Sequence, residues 1–130
     1  MKRILLILSI SFFFIACSDK EKHQEDLAAK AAKEYYDALI AGNYEQYISG
    51  IVDIDSIPPS YREQLLVNAK QMMSVQQTEH QGIKEVKTVT SKSDSLLKRT
   101  DVFLILCYGD STKEEIVVPM VERNGVWKMK

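Results

Sequence analysis

This chain of 130 residues holds only two cysteines, two histidines, three prolines, five glycines and one tryptophan. Most of these scarcities exclude a class of protein. Two cysteines, Cys17 and Cys107, cannot build the disulfide framework of a small secreted scaffold. Two isolated histidines, His23 and His80, with no cysteine at ligand spacing, offer no metal cluster. The glycines form no phosphate-cradling loop, and no serine–histidine–aspartate arrangement occurs. Charge of one sign is missing as well. With 17 basic and 18 acidic residues and no basic patch, the chain has no electrostatic footprint for nucleic acid. A long hydrophobic run is also absent: the stretch from Ile4 to Ile15 is about 12 residues, against roughly 20 for a bilayer span.

That short stretch is preceded by Lys2-Arg3 and closed by Phe14-Ile15-Ala16-Cys17. A basic start, a short apolar segment and a small residue before the cut describe a secretory signal peptide. The cysteine directly after the cut makes the segment resemble the bacterial lipoprotein signal. The resemblance implies that residues 1–16 are removed and that the Cys17 thiol carries a diacylglycerol. The protein would then sit in the cell envelope, on the periplasmic face or the outer-membrane surface, with the membrane as a partner. Acyl chains hold at about 0.8 kcal/mol per buried methylene, so no protein span is needed. Residues 17–26 continue as Ser-Asp-Lys-Glu-Lys-His-Gln-Glu-Asp after the cysteine and read as a flexible tether, with His23 solvated in it. Their acidic character also resembles the surface-export signals of Bacteroidetes lipoproteins.

After the cut about 114 residues remain, enough for one core and too few for two, so residues 27–130 are expected to form a single α+β domain. A first helix is predicted from about Glu25 to Ala41, with Leu27, Ala31, Tyr35, Ala38 and Leu39 on its inner stripe and Gly42-Asn43 at its end. A short second helix covers Tyr44 to Ser49. The pair Pro58-Pro59 opens a third, from about Ser60 to Glu79, with Tyr61, Leu65, Leu66, Ala69, Met72, Met73 and Gln76 facing inward.

Beyond Gly82 the apolar period drops to two. Strands are predicted over Ile83–Lys92, Thr100–Tyr108, Glu114–Glu122 and Val126–Lys130. Ser93-Asp94-Ser95, Gly109-Asp110-Ser111 and the type I′ signal Asn124-Gly125 separate them, which implies an antiparallel meander with helices on one face. The unbroken run Val102 to Leu106 predicts a central strand covered in part on both sides, with Cys107 beside it as a small buried hydrophobe. Pro119 predicts an edge or a bulge in the third strand.

An Ala/Tyr-rich first helix ending in Ala41-Gly42-Asn43-Tyr44-Glu45, a helix pair, and a last hairpin carrying Gly125-Val126-Trp127-Lys128 look familiar together. They resemble the small lipoprotein domains of the nuclear transport factor 2-like (cystatin-like) superfamily, of the uncharacterised or lumazine-binding-like type. The resemblance covers nearly all of the mature chain. It implies three N-terminal helices packed on a curved antiparallel sheet of about four strands, forming a cone. It implies either a binding domain or an enzyme of isomerase, dehydratase or cyclase type. No residue matches a flavin motif, and no cofactor is implied.

Enzymes of that superfamily place an Asp, His or Tyr inside the cone, where burial tunes proton transfer. Neither Val102–Leu106 nor Ile116–Val121 contains Asp, Glu, His or Lys. His80, at the end of the third helix, is the remaining candidate base; the alternative is a capping or surface histidine. Asp53 and Asp55 fall short of a calcium loop and read as solvated or capping acids. Tyr35, Tyr36, Tyr61, His80 and Trp127 are candidate pocket lining, with Tyr44, Tyr47 and Tyr108 as further aromatics. Tyrosine supplies an apolar wall with a hydrogen-bonding tip, although at helical spacing it also serves as core. These residues point to a lipid-anchored, non-catalytic domain that binds a small ligand or a protein partner. The rivals are a small isomerase or dehydratase using His80 with Tyr35 or Asp53, and a homodimer formed through the sheet.

Overall fold

Helix α1 spans Lys2–Ile40 in the computed structural model, which describes the backbone of residues 2–130 and the side chains of residues 21–130. The side chains of the leader and of Cys17 lie outside the described residues. The polar segment read as a tether is helical up to Asp26 and continuous with the rest of α1. Extending a helix from a packed half needs no new nucleus, so a charged stretch without apolar residues can join it. Among the described residues no helix is long and apolar enough to cross a membrane.

The buried stripe of α1 is Ala28, Ala32, Ala38 and Leu39, with Tyr35 half-buried among them, while Leu27 turns outward. Apolar side chains stand at adjacent positions here, so period alone does not choose the phase. The two alanines let the helix backbone lie close to the sheet. Asn43 caps α2 (Tyr44–Ser49) by accepting from Gln46 N at 3.3 Å. A 3₁₀ turn at Ile54–Ser56 buries Ile54 within the connector. Helix α3 (Pro59–His80) begins with proline at its first turn and ends at Gln81, whose φ is 62°. Its inward stripe is Arg62, Leu65, Leu66, Ala69, Met73 and Gln76. Tyr61 is 61% exposed and Met72 also faces out, which corrects their placement on the inner face.

Strands β1 (Ile83–Asp94), β2 (Arg99–Tyr108), β3 (Lys113–Arg123) and β4 (Val126–Met129) form one antiparallel sheet in the order β1-β2-β3-β4. Asn124 and Gly125, at φ 54° and 79°, close the last hairpin as the type I′ signal requires. The first hairpin differs from expectation: β1 runs on to Asp94, and the turn is Ser95 to Lys98. Register shifts at Ile83/Glu85 and Thr88/Thr90 break the β1–β2 ladder, and such bulges bend a strand.

One face of β2 is buried throughout, at Thr100, Val102, Leu104, Leu106 and Tyr108; the alternate residues are half-buried. Val102, Leu104, Val86 and Met120 meet Ala28 and Ala32 in one cluster between sheet and α1. Cys107 lies on the opposite face and is a half-buried free thiol, not a core residue. Pro119 sits in an interior strand without a bulge, opposite Asp101. Its carbonyl accepts from Lys130 N at 2.9 Å, so its nitrogen also faces the side where β4 ends. The missing N–H therefore forfeits only the reciprocal bond to Lys130, at the very end of the β3–β4 ladder. Along the other edge, Ile51 makes a parallel bridge to Met129, and Gly50 O accepts from Met129 N at 2.6 Å.

Candidate functional site

The space between helices and sheet is filled by apolar side chains. Thr100 is the one buried polar residue among the described residues, and its Oγ1 lies 3.2 Å from Ser93 Oγ. No carboxylate or imidazole stands on the buried stretch of the inner face from Val102 to Leu106.

A cleft of about 430 Å³ opens where α1 meets the ends of the first and last hairpins. Glu21 and Gln24 of α1 form one wall, and Ser93 to Ser95 with Lys98 to Thr100 form another. Glu122, Arg123 and Trp127 complete it from the last hairpin. The rim mixes Lys98, Arg99 and Arg123 with Glu21, Asp94 and Glu122. Arg99 forms an ion pair by distance with Asp101, Nε lying 3.1 Å from Oδ1, although the two atoms are not aligned for a hydrogen bond. Trp127 supplies the apolar wall. Its indole Nε1 is buried without an acceptor, while its backbone carbonyl accepts from Tyr35 Oη at 2.8 Å. Indole nitrogen can only donate. An unpaired buried donor beside a mixed-charge rim suits a ligand with an acceptor atom and an apolar body.

The residues singled out as pocket lining do not meet at one place. Trp127 lines the cleft. Tyr35 packs against Gly50 and bonds Trp127. Tyr36 meets Tyr47 edge-on, with ring centroids 5.7 Å apart, and burial pushes both phenols above the ordinary range. Tyr61 stands in solvent on α3. His80 sits elsewhere, with its Nδ1 2.9 Å from Asp110 Oδ2 and its ring 4.6 Å from that of Tyr108. Thus His80 does have an orienting partner, which sequence alone did not offer because Asp110 lies in the turn after β2. Hydrogen bonds from the Thr112 side chain, then from His80, hold the Asp110 carboxyl down at about 2. Burial, reinforced by the bond to Glu114, pushes the Tyr108 phenol up to about 12.

Asp53 and Asp55 both border a second open cleft with Arg123 and Lys128. Among the described residues no three potential metal ligands come together. The cleft residues at Ser93–Ser95, Lys98–Thr100 and Glu122–Arg123 had no sequence signal beyond their place near turns. Only Trp127 was singled out.

No family model and no curated protein matches the chain. Among solved structures it is similar to a crystal structure from Campylobacter jejuni provisionally assigned as an NTF2-like transpeptidase, with a TM-score of 0.60 and 10% identity. The match covers 75% of this chain and 92% of that one. In this chain the matching architecture is helices followed by a curved, four-stranded antiparallel sheet. The chain therefore has the nuclear transport factor 2-like fold, an α+β architecture. At this identity the likeness carries the fold and not the reaction.

Proposed function

We propose that this protein is a lipid-anchored, non-catalytic binding domain of the cell envelope, held by acyl chains on Cys17 and taking its ligand in the cleft beside Trp127. The observation that carries the reading is the buried, unpaired indole Nε1 at a cleft that brings α1 and the first and last hairpins together. The apolar filling of the inner sheet face supports binding at the rim rather than chemistry inside. Trp127 is the sole tryptophan, so its emission reports the cleft directly. Titration of the purified protein with small amphiphiles bearing a carbonyl or carboxylate should give a saturable change, lost in Lys98→Glu/Arg123→Glu. Recovery of a chemically altered compound would sink the non-catalytic reading. For the anchor, Cys17→Ser should abolish labelling by radioactive palmitate; normal labelling would remove the lipid from the proposal.

The His80–Asp110 pair favours a second reading, an acid–base enzyme of isomerase or dehydratase type. Neither the Trp127 cleft nor the Asp53/Asp55 cleft is lined by His80, which weighs against it. Turnover of ketosteroid-like or polyketide-like compounds that disappears in His80→Ala would decide for the enzyme. The outer sheet face, with Phe103 and Ile105 half-buried and Val117 exposed, supports the further proposal of a homodimer through the sheet, to be read by sedimentation.

A further inference from the structure

The β1–β2 hairpin ends in two leucines that the fold leaves bare. Leu96 is 93% exposed and Leu97 is 51% exposed, at turn positions where Gly, Asn, Asp or Ser is the usual choice. Single exposed leucines are ordinary, but two adjacent ones on a projecting tip form an apolar point. The tip is built to stay out. Asp94 Oδ1 accepts from Leu96 N at 3.0 Å and from Leu97 N at 3.1 Å, which pins the turn backbone. Lys98 closes it at φ 50°. The hairpin is also clamped to the first helix, because Glu25 Oε1 accepts from Ser93 N at 3.1 Å.

That clamp fixes where the leucines lie. Glu21 and Gln24 face the same cleft as Ser95 and Lys98, so the tip projects from the end at which α1 emerges toward residue 17. Cys17 is four residues before Glu21, about 6 Å along a helix. A lipid there places this end of the domain at the bilayer surface. Lys98, beside the leucines, has the sign that anionic headgroups attract.

We propose that Leu96 and Leu97 insert into the membrane surface beside the lipid on Cys17, fixing the domain with its Trp127 cleft turned toward the bilayer. The inference rests on the lipid-anchor reading of Cys17, and its test separates the two. The full chain is prepared with Trp127→Phe as background and a single tryptophan probe introduced by Leu96→Trp, or by Leu97→Trp as an independent second variant. Tyr61→Trp, on the exposed side of α3, is the control. The probes are read with vesicles of phosphatidylethanolamine and phosphatidylglycerol. Emission from position 96 or 97 is expected to shift to shorter wavelength and to be quenched several-fold more by spin-labelled acyl chains than emission from position 61. Equal quenching of all positions by aqueous iodide would overturn the proposal. So would a blue shift in lipid-free solution that grows with protein concentration, since a second copy would then cover the leucines. Palmitate labelling of the parent is scored in parallel. A labelled Cys17 with a water-exposed tip refutes the insertion and keeps the anchor; an unlabelled Cys17 with a lipid-quenched tip supports the insertion and refutes the anchor.

Discussion

His80, the last residue of α3, donates from Nδ1 to Asp110 Oδ2 across 2.9 Å and so ties the third helix to the turn between β2 and β3. Two backbone bonds accompany it: Asp110 N donates to His80 O at 3.0 Å, and Gly109 N donates to Gly82 O at 2.9 Å. The Tyr108 ring packs on the imidazole. A helix end and a hairpin turn are thereby held by one local network.

This network makes stability depend on acid. The Asp110 carboxyl is held at about 2, below its ordinary 3.8, so its contribution is complete above about pH 4 and is lost as pH falls toward 2. Asp110→Asn should remove that step from a plot of urea midpoint against pH while leaving the chain folded at neutral pH. An unchanged acid limb in the variant would show that Asp110 is not the group responsible.

Tyr108 offers a second titration. Its phenol donates to Glu114 and sits near 12 through burial first and that carboxylate second. Glu114→Gln should lower the Tyr108 value while leaving it above 10, because burial persists. Carbon-13 labelling of the tyrosine Cζ atoms would follow it; no movement of the Tyr108 signal would refute the coupling.

Gly50 has an ordinary φ of −80° but no room for a side chain. An added Cβ would lie 2.5 Å from the Tyr35 ring. Gly50→Ala is expected to cost about 1–3 kcal/mol in thermal or urea unfolding. Tyr35→Phe keeps the ring and removes only the bond to the Trp127 carbonyl, so it should not rescue Gly50→Ala. Rescue by Tyr35→Phe would show that the clash is not with the ring.

The core and the cleft predict different costs. Leu104 is fully buried among Val86, Val102 and Met120, and Leu104→Ala should lose about 2–5 kcal/mol. Trp127→Phe removes an unpaired donor along with some apolar area, so these effects oppose each other and the unfolding free energy from urea titration should change by less than about 1 kcal/mol. A loss from Trp127→Phe as large as that from Leu104→Ala would mean that the indole N–H has a partner after all.

The meander was legible because its signals are local. Asn124-Gly125 accept positive φ wherever they occur, and a change of period from 3.6 to 2 at Gly82 needs no tertiary context. The ends of α3 were equally readable from Pro59 and from Gln81-Gly82. Phase was harder. Leu27 and Ala28 are both apolar and adjacent, as are Met72 and Met73, so a stripe drawn from sequence can be one residue off. Ser93-Asp94-Ser95 has turn chemistry, yet strand pairing carried β1 to Asp94 and left Leu96 and Leu97 at the tip.

Sequence by itself determined the element order, the α+β class and the closures of the second and third hairpins, because each depends on backbone preferences within a few residues. The tertiary structure alone decided that His80 meets Asp110, that Tyr35 bonds Trp127, and that Glu25 clamps the hairpin at Ser93. Those partners are separated by 30, 92 and 68 positions. Pairing at such distances is set by how the sheet bends and how closely Ala28 and Ala32 let α1 approach it. The cleft beside Trp127 has the same origin, since no single segment contains its walls.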